Sequence, residues 1–258
     1  MLNVRVVKIG GNELDRPEWV AECARALAGF GPAVIVHGGG HAVSAWSRRL
    51  GLPVEKKDGL RVTTPEIAQL VEMVLGGPMN RLLVAALRAA GLDAIGLCGV
   101  DGGLLTAQPL GSGVDLGEVG EIVNVRASLL HSLLLAGLTP VVAPVAPSLT
   151  PPIRPLNVNA DQAAAAIAAA LGADELLFVS DVPGVTVDSI TQPTLAAAEI
   201  EPMIEGGIAT GGMAAKLRAA THALGAGVRA VRIGDLDMFE HATAGTRLLA
   251  VPPAVQPA

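Results

Sequence analysis

Short runs of valine, isoleucine and leucine alternate along the chain with longer alanine- and leucine-rich stretches whose apolar positions recur at helical spacing. The short runs are Val4–Ile9, Ala33–Val36, Ala94–Cys98, Pro140–Ala143, Glu175–Val179 and Val228–Ile233. Most are apolar on both sides rather than alternating, which predicts strands of a parallel sheet covered by helices on both faces. The helical stretches are Pro17–Ala28, His41–Leu50, Pro65–Leu75, Asn80–Ala90, Ala127–Ala136, Asn159–Leu171 and Gly212–Leu224. Gly29, Gly51, Gly91, Gly137, Gly172 and Gly225 follow six of them as C-terminal caps. The order of elements is α/β throughout.

Two polar segments interrupt the alternation. Residues 52–63 and 101–125 read as β-hairpins, the first turning at Asp58-Gly59. Residues 144–158, rich in proline, form a third irregular excursion. The alanine run Ala163–Ala170 reads as a close-packed helix, because alanine favours helix and lets backbones approach.

Composition narrows the classes of function. The 258 residues suffice to bury roughly 70–75% of the unfolded surface, in one large domain or two lobes. A formal charge of -6 argues against a general nucleic-acid or membrane-surface binder. Cys23 and Cys98 lie far apart and read as reduced, buried thiols. No His/Cys/carboxylate group has metal-ligand spacing, so no protein-held metal is expected. The opening MLNVRVVKIGG reaches Lys-Gly-Gly too soon for a signal peptide, and His131, Pro140 and Pro144 interrupt the apolar stretch 129–145. A cytoplasmic location is the expectation.

In α/β sheets ligands bind beyond the carboxyl ends of the strands. Three loops there are glycine-rich: Gly10-Gly11, Gly38-Gly39-Gly40, and Asp181 to Gly184. Such turns present free N–H groups to anions, although glycine also serves merely to permit a tight turn. No Gly-Lys dipeptide occurs, so there is no P-loop, and the triple glycine does not complete G-x-G-x-x-G.

The lysines are more informative. Of 18 Lys and Arg, only Lys8, Lys56, Lys57 and Lys216 are lysine. Lys8 ends the first apolar strand, directly before the glycines. Lys216 follows Thr210-Gly211-Gly212-Met213 near a helix start, where a cation opposes the helix dipole and calls for an anion. Both read as phosphate clamps. Asp161 reads either as a helix cap or as the carboxylate that orients both lysines. Arg61, on the return strand of a hairpin lid, can grip a carboxylate; Asn157 can read an amide or a carboxylate. Lys56 and Lys57 read as solvated charges, and His37 and His41 as structural.

These segments resemble the N-acetylglutamate kinases of the amino-acid kinase superfamily. The resemblance covers the chain in order: VVKIGGNEL (6–14), VHGGGHAV (36–43), KKDGLRVT (56–63), NVNADQAA (157–164), FVSDVPGV (178–185), GIATGGMAAKL (207–217) and GTRL (245–248). It implies a three-layer αβα sandwich whose central, mostly parallel sheet is shared by two lobes. Residues 1–172 would bind the amino-acid substrate and dimerise, and 173–258 would bind ATP, with Mg²⁺ carried mainly by the nucleotide phosphates. It implies that Lys8 and Lys216 stabilise the transition state and that Asp161 holds them. Gly39, Gly40, Arg61 and Asn157 are similar to acetylglutamate-binding positions. Gly10, Gly11, Asp181, Val182, Pro183, Gly184, Val185, Thr186, Ile208, Ala209 and Thr210 resemble nucleotide-binding positions. Gly211 stands where some relatives have Asp, and Pro183 where some have Ser. The implied assembly is an arginine-insensitive homodimer. A kinase acting on carrier-protein-bound aminoadipate or glutamate, and a non-catalytic regulatory module, are the competing readings.

Overall fold

The computed structural model describes residues 3–250 apart from 12, 58 and 112–114. An eight-stranded sheet forms the centre, made of β1 (Arg5–Ile9), β2 (Ala33–His37), β3 (Ala94–Cys98), β4 (Thr139–Ala143), β5 (Glu175–Val179), β6 (Thr194–Ala196), β7 (Val231–Gly234) and β8 (Thr246–Leu249). Its spatial order is β6-β8-β7-β5-β1-β2-β4-β3. Neighbours run parallel except β7 and β8. The helices are α1 (Pro17–Phe30), α2 (Gly40–Arg49), α3 (Pro65–Val74), α4 (Asn80–Ala89), α5 (Ala127–Leu135), α6 (Ala160–Leu171), α7 (Ala197–Glu205) and α8 (Gly211–Gly225).

The strands are apolar on both sides because each side meets helices. Val7, Ile35, Val141 and Leu177 pack into one layer with Val20 and Leu27 of α1 and Leu83 of α4. Val6, Val34, Val142 and Phe178 pack into the other with residues of α5, α6 and α8. Both layers draw on residues either side of position 172, so the sheet is one continuous support. In α6, Ala163, Ala164, Ala165 and Ala168 are fully buried, facing a helix that contributes Ala219, Ala220 and Ala223. Small side chains on both helices let them approach, as the alanine run predicts.

Several elements depart from the sequence reading. The 101–125 segment does form a hairpin, Leu105–Pro109 with Val119–Val125. Residues 144–158 are not merely irregular, because Pro155–Val158 and Val145–Pro147 extend that hairpin into a four-stranded sheet. The other hairpin is short, Lys56–Lys57 against Leu60–Arg61; Asp58 of its turn lies outside the described residues. Two helices run past their expected glycine caps: positive φ occurs at Gly31 after α1 and at Gly227 after α8, in place of Gly29 and Gly225. One π-helical turn, Leu75–Met79, joins α3 to α4; it carries a non-helical Gly77, and Pro78 removes an N–H from the ladder.

Candidate active site

The carboxyl ends of β1, β2 and β5 lie side by side, so their glycine loops meet. A β-carbon on Gly11 would stand 2.4 Å from the Gly39 nitrogen, and one on Gly39 would stand 2.5 Å from Leu75 Cδ2. Glycine here is what lets one loop lie against the other. Beside them opens a cavity of about 210 Å³ lined by Lys8, Gly11, Gly39, Gly40, Arg61, Asn157 and Asp161, among others. The substrate-side residues expected from the sequence thus share one cavity.

Within it Lys8 Nζ meets Asp161 Oδ1 at 2.7 Å, with side chains only 7% and 9% exposed. A desolvated ammonium group needs such a partner. Asp161 is free for the role because Asn159 caps α6 instead. The Asn159 side-chain oxygen accepts the backbone N–H groups of Asp161 at 2.8 Å and Gln162 at 3.2 Å. Lys216 approaches from α8. Desolvation, then Lys8, pulls its ammonium below the usual lysine range, while Asp161, Glu13 and Asp181 oppose the fall. Lys8 and Asp161 thus lie near enough to act electrostatically on Lys216, which does not itself line the cavity. The expected sharing of Asp161 is unequal, however: Lys216 makes no ion pair among the described residues. Lys216 is also the sixth residue of α8, past the first turn where the helix dipole acts, so burial near Lys8 is its distinguishing feature.

Arg61 is buried. Its Nη2 donates to the Gly40 carbonyl at 2.8 Å and to Ser44 Oγ at 2.6 Å, while Nη1 has no hydrogen-bond partner among the described residues. Burial, then Arg48, pulls its guanidinium below the usual arginine range. Both Nη2 hydrogens are spent on α2, so a grip through paired Nη1 and Nη2 is replaced by Nη1 reaching from an anchored base. Asn157 lies on the strand Pro155–Val158, and its amide donates to Thr63 Oγ1 at 3.1 Å. Lys56 and Lys57 are exposed.

Sequence reasoning passed over the support of the triple glycine. Asn80, fully buried at the start of α4, donates through Nδ2 to the Val141 carbonyl at 2.9 Å and to His37 Nε2 at 3.1 Å. His37 Nε2 must then accept, which leaves the proton on Nδ1 to donate to the Gly38 carbonyl at 2.8 Å. A second ring proton would face the Asn80 amide donor, and burial pulls the His37 imidazole down to about 4 from 6.5. The folded pKa is depressed, so this contribution to stability is complete above pH 6.5 and is lost as pH falls towards 4. It amounts to about 3 kcal/mol in full and about 2 kcal/mol between pH 7 and pH 5. Denaturant midpoints at those two pH values should show that loss, and His37→Gln should flatten it. An unchanged pH dependence in the variant would show that His37 is not the group responsible.

The segments that the sequence reading gave to the nucleotide are partly exposed. Asp181, Pro183, Thr186, Ile208 and Thr210 are exposed, whereas Gly184, Val185 and Ala209 are buried. The side chains of Val185 and Ala209 belong to the core, so only their backbone is offered to a ligand. Thr246 fastens one of them: its hydroxyl accepts the Val185 N–H at 2.8 Å and donates to the Gln192 carbonyl at 2.6 Å.

Residues 3–235 match the amino acid kinase family. The acetylglutamate kinase of Chloroflexus aurantiacus is 47% identical over 92% of this chain and 93% of its own length. That of Roseiflexus castenholzii is 48% identical over 92% of each. Among solved structures, the smu.665 protein of Streptococcus mutans UA159 superposes with a TM-score of 0.81 at 28% identity, covering 96% of this chain and 99% of that one. Sequence relatives and fold agree over nearly the whole length: the chain belongs to the acetylglutamate kinases of the amino acid kinase family.

Proposed function

We propose that this enzyme transfers the γ-phosphoryl group of ATP to the γ-carboxylate of N-acetyl-L-glutamate, giving N-acetyl-L-glutamyl 5-phosphate and ADP, the second step of arginine biosynthesis. The observation that carries the reading is the buried Lys8–Asp161 pair beside the glycine loops, with Lys216 arriving from α8. The nucleophile is a carboxylate already ionised at neutral pH, so no general base is needed. What the reaction needs is positioning and relief of charge, since two anions meet and the phosphoryl oxygens carry negative charge in the transition state. Lys8 and Lys216 supply that charge from two elements, and Asp161 keeps Lys8 aimed.

Gly11 offers its main chain on the phosphate side, since the Gly10 N–H is already given to the Val179 carbonyl at 3.2 Å, and Gly39, Gly40, Arg61 Nη1 and Asn157 hold the acetylamino acid. Residues 1–172 serve the substrate and dimerisation, 173–258 the nucleotide. Among the described residues no cluster of three or more His, Cys, Asp or Glu could hold a metal ion. Three carboxylates, Asp161, Glu13 and Asp181, act on Lys216, so the polyanionic nucleotide suits the site when it brings its own counter-ion. Mg²⁺ on the phosphates and water would supply that charge.

Trapping the acyl phosphate with hydroxylamine tests the reading. Free N-acetylglutamate should give hydroxamate and ADP; activity on a carrier-linked substrate alone, or ATP binding without ADP, would replace it. Arg61→Lys should raise KM for acetylglutamate by about tenfold, the loss of one charge-assisted hydrogen bond, and leave KM for ATP unchanged. Equal changes in both would remove Arg61 from the substrate side. A homodimer in the cytoplasm completes the proposal; light scattering that finds a hexamer would correct it.

A further inference from the structure

Thr63 has no assigned task, yet it joins the two residues that would hold the acetylamino acid. It is fully buried and stands two residues past Arg61. Its hydroxyl donates to the Arg61 carbonyl at 2.8 Å, and Asn157 Nδ2 lies 3.1 Å from the same hydroxyl oxygen. A carbonyl only accepts, so the single hydroxyl proton is spent on Arg61 and the Thr63 oxygen can only accept from Asn157. Asn157 must therefore turn its nitrogen, not its oxygen, towards Thr63. That leaves Oδ1 and the second amide hydrogen for a ligand in the cavity that Asn157 and Arg61 both line. The main chain around the hydroxyl is held separately. The Thr63 N–H donates to the Leu116 carbonyl at 2.9 Å, and the Thr63 carbonyl accepts the Glu118 N–H at 2.7 Å. The Asn157 N–H donates to the Glu118 carbonyl at 2.9 Å. A β-carbon on Gly117 would stand 2.2 Å from the Thr63 carbonyl oxygen, so glycine is what permits this approach.

We propose that Thr63 is a positioning residue for the amino-acid substrate: its hydroxyl sets which end of the Asn157 amide faces the ligand and ties that amide to the main chain of Arg61. An amide free to flip presents donor and acceptor interchangeably, and ordering it on binding costs affinity. A hydroxyl committed to a carbonyl on one side removes that freedom before the substrate arrives. The role in substrate binding rests on the acetylglutamate kinase reading; the orientation of Asn157 does not.

Thr63→Val removes the hydroxyl and keeps the buried volume, while the main-chain bonds at residue 63 remain. KM for acetylglutamate should rise about fivefold, the worth of one neutral hydrogen bond, with kcat and KM for ATP unchanged. Thr63→Ser restores the hydroxyl and should bring KM back close to the parent value. A merely structural role would lower the active fraction, and so kcat, and leave KM for acetylglutamate where it is. Side-chain ¹⁵N NMR of the ligand-free protein reads the orientation without any substrate. The Asn157 amide, assigned with Asn157→Asp, should lose order in Thr63→Val and keep it in Thr63→Ser. Where Thr63→Val does not fold, Thr63→Ala replaces it in both measurements. If the parent enzyme ignores acetylglutamate, the kinase reading fails and the NMR result still decides the role of Thr63. An Asn157 amide as ordered without the hydroxyl as with it, or an unmoved KM for acetylglutamate in the folded variant, would overturn the proposal.

Discussion

Lys216→Ala and Lys8→Ala are each expected to lower kcat by roughly 10²–10³, the loss of one preorganised charge at the transferring phosphoryl group. The two variants should part company in stability. Lys216 makes no ion pair among the described residues, so its removal relieves burial of a charge and should leave Tm nearly unchanged. Lys8→Ala strips the partner from a buried carboxylate, which costs about 3–5 kcal/mol when one half of such a pair is removed. Lys8→Ala should therefore be both slow and less stable, and Lys216→Ala slow alone. Coupled-assay kcat and thermal melts on the same preparations measure both axes. A near-normal kcat in either folded variant would take that lysine out of the transition state.

Asp161→Asn should be the next most damaging change, with kcat falling by about 10²-fold and Tm by only a few degrees. The cap of α6 survives, since Asn159 accepts the main-chain N–H of residue 161 and not its side chain. Asparagine can still touch Lys8 but no longer balances its charge. Asparagine still fills the space of the carboxylate, which limits the cost in stability, while Lys8 is no longer held by an opposite charge, which deepens the cost in rate. A large fall in Tm with little change in kcat would make Asp161 a structural residue.

The parts of the molecule that were legible in the sequence are those whose physics is local or repeats. Six strands and seven helices are periodic apolar runs, and their boundaries shift by only a few residues. The glycine loops and the isolated Lys8 stand out because so few lysines occur. What escaped depends on partners distant in sequence. The strands in 144–158 pair only because the 101–125 hairpin offers an edge, and proline hides them from a propensity reading. β6 and β8 are short, and α7 contains Pro202, which blurs its helical signal. In the site, Asp161 could not be told from a cap until Asn159 was seen to cap the helix. The arm by which Arg61 is tethered to α2, and the Asn80 support of His37, cross 21 and 43 residues. The carboxylate of Glu13 sat inside a recognised motif, but only its burial, with Oε2 lacking a hydrogen-bond partner among the described residues, marks it.

Thr246 gives the molecule an order of assembly. The segment Val182–Val185 leaves the ribosome well before the hydroxyl that clasps it, which follows 61 positions later. The strand carrying that hydroxyl, β8, slots between β6 and β7, so neither flank closes ahead of it. A nascent chain stalled anywhere in this interval would already own Lys8, Asp161 and the triple glycine, yet lack the hydroxyl that fastens the Val185 main chain.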